Sequence, residues 1–430
     1  MGRTISTIVC AVLFFALFEG DGGIAWAGSG GSAYSILGIG DLRYIPGVRG
    51  DGMGYTGIGL ASPDYINGLN PAGWSRINRT RLEANMLYEG FQSTDGLRSR
   101  FLARADFNGA LLAIPISQTY GITMVAGFTP YSNVNYNTYT PGLYQTSTDT
   151  MNYIIDHVGT GGITKGQFGL SYAPSQDLSF GISLDYLFGS VDNVTSLTPT
   201  KAAYAGGRST QTVKSNAVTL TLGGLFSGFG SFSKALQPLS LGVVVTSRGI
   251  MHTSRQNTFQ FIQDGAETVA ERDTTPEVSG RMSVPFAIGI GLAYRAGPRY
   301  ILAADYYAQA WGSSEVDGVT PYGIRNMYRI GVGGERVPGK EFSTPWLDRI
   351  AYRLGAYYNA TYYYINGHGI NEWGLTAGLG LPLSGETRLN VGLEYGGRGV
   401  VTNSLIKDKI LRLSFSLNIS ELWFIRYEED

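Results

Sequence analysis

The chain is poor in cysteine, histidine and charge, and it has no long apolar run. One cysteine, Cys10, occurs in 430 residues, and it falls within an N-terminal stretch that reads as a cleavable signal. The mature chain is therefore expected to hold no thiol, disulfide or cysteine metal ligand. Three histidines, His157, His252 and His368, are scattered without ligand spacing, so no metal site is expected. Charged residues make up 15%, against roughly 25% in soluble domains. The net charge of −1 implies neither nucleic acid nor an anionic surface as partner. No run after the signal approaches the ~20 apolar residues of a membrane helix.

Residues 1–27 carry the features of export. Arg3 supplies positive charge, Ile8–Phe18 is apolar but too short to span a bilayer, and Ala25 and Ala27 offer small residues for cleavage.

Two things are abundant. Glycine numbers 61, about twice the usual share. From Arg81 to Ile419, segments of about ten residues alternate apolar with small or polar side chains. In Leu178–Phe188 the residues Leu178, Phe180, Ile182, Leu184, Tyr186 and Phe188 share one parity, and Ser179, Gly181, Ser183 and Asp185 share the other. A period of two puts these sets on opposite faces of a strand. The pattern predicts strands at 80–91, 101–115, 119–131, 150–174, 178–190, 212–226, 238–248, 282–296, 299–312, 324–336, 349–359, 371–383, 387–396 and 408–420. The fourth is overlong and is taken as one strand bent at Gly159–Gly162.

The connections form a second pattern. Those at Ile116–Gln118, Ser175–Asp177, Gly297-Pro298 and Ser384–Glu386 are tight. Those at Ser132–Asp149, Val191–Gln211 and Gly249–Arg281 read as long loops. Short turns at one end and long loops at the other belong to an all-β transmembrane antiparallel barrel of about fourteen strands, with the short turns periplasmic. A soluble sandwich or propeller also alternates, but predicts no such asymmetry. An even strand count puts both termini in the periplasm, in the outer membrane of a Gram-negative cell. Trp311, Trp373, Trp423 and several tyrosines near segment ends suit the aromatic girdles.

The chain thus divides into a signal at 1–27, a Gly- and Pro-rich segment at 28–79 and a barrel at 80–430. The middle segment reads as a compact plug. Ser62-Pro63-Asp64 and Asn70-Pro71-Ala72 each place a capping residue before a proline, the start of a short helix.

With Gly38-Ile39-Gly40-Asp41, Gly52-Met53-Gly54-Tyr55-Thr56-Gly57 and Asn70-Pro71-Ala72 preceding the strands, the whole mature chain resembles the FadL/TodX family of outer-membrane transporters, in its Bacteroidetes-like branch. The resemblance implies a fourteen-stranded barrel plugged by an N-terminal lumenal hatch. It implies passage of long-chain fatty acids or other hydrophobic compounds through a lateral gap at a kinked strand. By position, Asn70, Pro71 and Ala72 would be the hatch motif. The kink would lie in Thr119–Tyr131, where Gly121, Gly127 and Pro130 weaken pairing. No binding-pocket residue can be matched. The residues themselves also allow a blander reading, in which Asn70-Pro71 only caps a helical turn and Pro130 only ends a strand.

Other chemistry finds little support. Gly52–Gly57 matches G-x-G-x-x-G but lacks the flanking strand and helix that a dinucleotide site needs, so tight turns are the better reading. Asp156 and His157 are adjacent and so point to opposite faces, and no G-x-S-x-G motif occurs. No catalysis and no cofactor are expected. Asp64, Asp305 and Glu394 have no evident partner and read as lumenal groups met by water. Tyr136, Tyr139 and Tyr144, and Tyr357, Tyr358, Tyr362, Tyr363 and Tyr364, suit either an outer ligand groove or the interfacial belt. The expected function is passive uptake of hydrophobic small molecules, with membrane lipid around the barrel. The alternative is a structural or adaptor barrel serving a secretion or surface assembly, with a protein partner that the sequence does not name.

Overall fold

A computed structural model describes residues 28–145, 149–201, 204–262, 269–339, 344–383, 386–403 and 405–421. The signal at 1–27 and Trp423 lie outside the described residues, as does part of the Ser384–Glu386 turn. No described helix is long and apolar enough to cross a membrane.

The wall is a closed antiparallel sheet. It comprises β3 (Thr80–Thr94), β4 (Ser99–Ser117), β5 (Ile122–Gln145), β6 (Thr150–Tyr172), β7 (Leu178–Pro199), β8 (Gly206–Phe226), β9 (Leu239–Thr246), β10 (Gly249–Ile262), β11 (Val269–Thr274), β12 (Val278–Val284), β13 (Ala287–Ala296), β14 (Tyr300–Gln309), β15 (Met327–Arg336), β16 (Ala351–Ile365), β17 (His368–Pro382), β18 (Arg388–Arg398) and β19 (Lys407–Glu421). β9 with β10 makes one interrupted wall strand, and β11 to β13 make another, which gives fourteen. β19 pairs with β3 from Lys407–Thr94 to Glu421–Thr80 and closes the ring. A closed ring leaves no unpaired strand edge in the wall. Two short strands, β1 (Gly28–Ser29) and β2 (Asp41–Leu42), precede it.

The parity read from sequence is the parity of the wall. On β7, Phe180, Ile182, Leu184, Tyr186 and Phe188 point outward and are exposed, while Ser179, Ser183 and Asp185 are buried inside. On β19, Phe415 and Leu417 face out, and Ser414, Ser416 and Asn418 face in. The fourth predicted strand is the single strand β6, carried past Ser190 and Val191 by Gly161 at φ +108.

The three predicted long loops are a correction. Most of Ser132–Asp149, Val191–Gln211 and Gly249–Arg281 is strand, in β5, β7, β8, β10 and β11. β5 to β8 run to 24, 23, 22 and 21 residues, where about 9–11 cross a bilayer. β14 and β15 have 10 each. One side of the barrel therefore rises beyond the other as a tall sheet. There many residues of both parities are small or polar, as along Ser190–Thr198 of β7, so the apolar alternation that marks a strand in sequence is weakened.

Within 28–79, α1 (Val48–Asp51) is a single turn that the sequence reading missed. The predicted start at Ser62-Pro63-Asp64 is a bend, in which Ser62 Oγ accepts from the Asp64 amide at 3.1 Å. The start at Asn70 is real but forms a 3-10 helix, Pro71–Arg76, with the Asn70 side chain accepting from the Ala72 amide. Gly52–Gly57 forms tight turns, with Gly54 and Tyr55 at positive φ.

Trp311 is a further correction. It is fully buried against Tyr362 rather than in a girdle. Trp373 does face outward, beside Tyr395. Tyr357, Tyr362 and Tyr363 are buried inward, neither groove nor belt, while Tyr358 and Tyr364 are exposed. Tyr136, Tyr139 and Tyr144 lie on β5, with Tyr136 buried and the other two exposed.

Thr80 and Glu421 pair at one end of the wall. Gly28 pairs with Leu102, which pairs with Phe91 toward the other end of β3. The parity argument thus covers the ends of the wall and not the start of the N-terminal segment.

Candidate functional site

The lumen is packed like a domain interior. In one layer Tyr34 and Ile39 of the N-terminal segment join Leu187, Met251, Trp311, Tyr362, Tyr363 and other wall residues in one apolar cluster. Tyr362 donates its hydroxyl to the carbonyls of Gly40 and Leu37, at 2.6 and 3.0 Å. Tyr363 donates to Asp41 at 2.8 Å.

Beside this layer lies an ionic one. Glu89 on β3 accepts from Arg43 at 2.7 and 2.5 Å, from Arg104 at 2.5 Å and from Arg412 at 2.6 Å. Arg412 also meets Glu372 at 2.9 Å and Glu394 at 2.5 Å. Arg398 spans Asp41, Glu372 and Asp408. Glu335 is held by Arg49 at 2.5 Å and Arg353 at 2.9 Å. Every wall member of this network sits on the inward parity, and Arg43, Asp41 and Arg49 come from the N-terminal segment. The charges are desolvated together, so each carboxylate needs its cations and each guanidinium its acceptors.

Asp64, Asp305 and Glu394 therefore have protein partners, contrary to the sequence reading. Asp64 pairs with Arg81 at 3.3 Å. Asp305 accepts the Gly57 and Ile58 amides at 2.7 and 2.8 Å. Glu394 also takes the Tyr55 and Tyr357 hydroxyls, both at 2.5 Å.

Between the N-terminal segment and the wall lies a cavity of about 90 Å³. Asp41, Arg43, Asp51, Arg329, Arg398 and Arg412 border it, with several tyrosines. Burial pushes the Asp51 carboxyl well above the usual range, and the nearby Glu394 and Glu83 push it the same way.

The Asn-Pro-Ala motif docks on the wall. Asn70 is fully buried and donates to the carbonyls of Ile58 and Gly224, at 2.8 and 3.2 Å. A Cβ on Gly181 would lie 2.2 Å from the Pro71 carbonyl carbon, and one on Gly223 2.1 Å from Asn70 Oδ1. Glycine on the inward parity is what lets this backbone approach.

The residues of the predicted kink lie along one seam. β4 and β5 pair only from Ala110–Phe128 to Ser117–Ile122. Beyond that, β1 pairs with β4 at Leu102–Ala103, and β2 pairs with β5 at Ser132–Asn133. The N-terminal segment fills the fork, helped by the Gly31 amide on the Asn135 carbonyl at 3.0 Å and the Arg43 amide on the Tyr131 carbonyl at 2.9 Å. Gly121 lies in the turn before β5 and Gly127 within it. Pro130 is mid-strand, not at a strand end, just before a register shift at Tyr131. A proline with no amide to donate is tolerated at such an irregularity.

The histidines stay apart. His157 touches Thr195, His368 touches Asn403, and His252 borders an open groove with Lys214 and Arg281. No cluster of metal-ligating side chains occurs among the described residues.

A family model described as BamG matches residues 1–429. A search of curated proteins finds no match. Among solved structures, the toluene transporter TbuX of Ralstonia pickettii aligns with TM-score 0.56 at 13% identity, covering 87% of this chain and 98% of its own. A FadL homologue of Pseudomonas aeruginosa aligns with TM-score 0.55 at 13% identity, covering 88% and 98%. The toluene transporter TodX of Pseudomonas putida aligns with TM-score 0.55 at 14% identity, covering 89% and 99%. At such identities the shared property is the fold, that of outer-membrane barrels known as channels for hydrophobic compounds.

Proposed function

The chain belongs to the BamG family, and we propose that it works as a closed structural or adaptor barrel in an outer-membrane assembly. The observation that carries this reading is the filled lumen. An apolar layer and an ionic layer cross it, and a small cavity bordered by charge lies beside them. An apolar solute would have to break ion pairs that are costly to separate without water. The tall polar sheet of β5 to β8 adds a surface on which a partner can dock. In this reading the turns beside Thr80 and Glu421 face the periplasm, residues 28–79 are a fixed plug and lipid surrounds the outward apolar band.

A second reading keeps the function of the fold's relatives. The barrel would pass hydrophobic compounds, fatty acids or monoaromatics among them, with residues 28–79 as a moving hatch. Asn70, Pro71 and Ala72 would couple that motion to a gate at the seam beside Gly121, Gly127 and Pro130. The forked seam between β4 and β5 is what favours it.

One experiment separates the two. The protein is purified from native membranes in mild detergent, and cells lacking it are assayed for uptake of labelled oleate and toluene. A stoichiometric protein partner with unchanged uptake supports the adaptor. A lone barrel whose loss abolishes uptake overturns it in favour of the channel.

A further inference from the structure

Arg329 on β15 differs from the other arginines of the lumen. Arg43, Arg49, Arg104, Arg353, Arg398 and Arg412 each have a carboxylate oxygen within 2.9 Å. Arg329 has no such partner among the described residues. Its guanidinium carbon lies 4.0 Å from the Tyr357 ring centre, 4.1 Å from that of Tyr55 and 5.2 Å from that of Tyr44. The residue is 8% exposed, and its Nε and Nη2 atoms make no hydrogen bond among the described residues. Three tyrosine faces offset part of the cost of burying a cation, but they do not satisfy its N–H groups.

The unmatched atoms have a specific geometry. Nε and Nη2 form one edge of the guanidinium, and two parallel N–H groups on that edge match the two oxygens of a carboxylate. The buried Tyr44 hydroxyl also lacks a partner among the described residues, and Tyr44 and Arg329 border the same 90 Å³ cavity. We propose that this cavity is a binding site for one small carboxylate of formate or acetate size, held side-on by Arg329 with the Tyr44 hydroxyl as a further donor.

Size and charge narrow the ligand. A water needs roughly 10–15 Å³ of such space, so the cavity holds about six to nine waters or one small anion, and its charged border disfavours an apolar acyl chain. Of the acids at its border, Asp41 is engaged by Arg398 and Tyr363, and Glu372 by Arg412 and Tyr357. Asp51 makes no ion pair with Arg329 among the described residues, and burial raises its carboxyl well above the usual range. The site joins the N-terminal segment to the wall, and its occupancy is independent of which function is correct.

The test uses the full chain in detergent, dialysed into carboxylate-free buffer and melted with sodium acetate, sodium chloride or sodium hexanoate at equal ionic strength. Acetate is expected to raise the melting temperature saturably, and chloride and hexanoate are not. Arg329→Gln and Tyr44→Phe are each expected to weaken the acetate response at least tenfold. An equal effect of all three salts, or a full response in Arg329→Gln, overturns the proposal. If Arg329→Gln does not fold, bromoacetate bound to the unaltered protein decides. An anomalous bromine peak in the cavity, with its carboxylate on Arg329, supports the site, and water alone on the guanidinium edge overturns it.

Discussion

Arg43 grips Glu89 with both ends of its guanidinium, at 2.7 and 2.5 Å, across the join between the N-terminal segment and the barrel wall. Glu89 is fully buried and also serves Arg104 and Arg412, so one carboxylate answers three cations. Glu89→Gln keeps the shape and removes the charge. Removing one partner of a buried ion pair costs about 3–5 kcal/mol. The variant should unfold at a clearly lower temperature, followed by heat-dependent gel mobility of the detergent-solubilised barrel. A melting curve that overlays the parent would show that the network adds nothing to stability.

Wall glycines give a sharper comparison, because neighbours differ. Gly223 faces in, where a Cβ would fall 2.1 Å from Asn70 Oδ1, while a Cβ on the adjacent Gly224 meets nothing within 4 Å. Gly223→Ala should destabilise by about 1–3 kcal/mol through overpacking. Gly224→Ala should be near neutral. Limited proteolysis should cut the N-terminal segment faster in Gly223→Ala only. Equal effects from the two substitutions would mean that the Asn-Pro-Ala turn does not rest on this wall.

These contacts mark where the sequence stopped being readable. The wall was legible because an outward apolar face and a packed lumen impose a period of two, as on Phe180–Phe188. The upper parts of β5 and β7 were not legible, since small and polar residues there interrupt the apolar period. The Asn70 cap could be read because it is local. Its bond to Gly224 spans 154 residues and could not. The pairing of Glu89 with Arg412 spans 323 residues and was missed for the same reason. One signal was available: Glu89, Glu335, Arg353, Glu372, Glu394, Arg398 and Arg412 all fall on inward parity, where isolated charge is costly and therefore paired.

Asn70 carries a further test. Its side chain caps the 3-10 helix and spans to the wall, so Asn70→Ala loses the cap bond and the bonds to Ile58 and Gly224, and leaves the buried carbonyl of Ile58 unpaired. Losing a cap costs about 0.5–2 kcal/mol, and an unpaired buried group about 1–3 kcal/mol more. Asn70→Ser keeps a cap acceptor without adding charge but loses the amide donor, so it should restore only part of the loss. If Asn70→Ser melts like the parent, the bonds to Ile58 and Gly224 carry no weight.

Asp51 gives a prediction in pH. Its carboxyl is raised well above the ordinary range by burial, with Glu394 and Glu83 adding to the shift. The folded protein therefore keeps a proton on Asp51 that the unfolded chain releases once pH passes the usual carboxylate value near ~3.9. The folded state then binds more protons, so this group's contribution to stability falls as pH rises from that value toward its own folded value. Asp51→Asn is neutral in both states and removes the dependence. The variant should melt above the parent, and the gap should widen between pH 5 and pH 8 as the parent alone loses stability. Melting both proteins across that range checks the sign directly, because other titrating groups contribute equally to each. A gap that stays constant, or narrows with rising pH, would mean that Asp51 is ionised in the folded barrel and has a cation for partner.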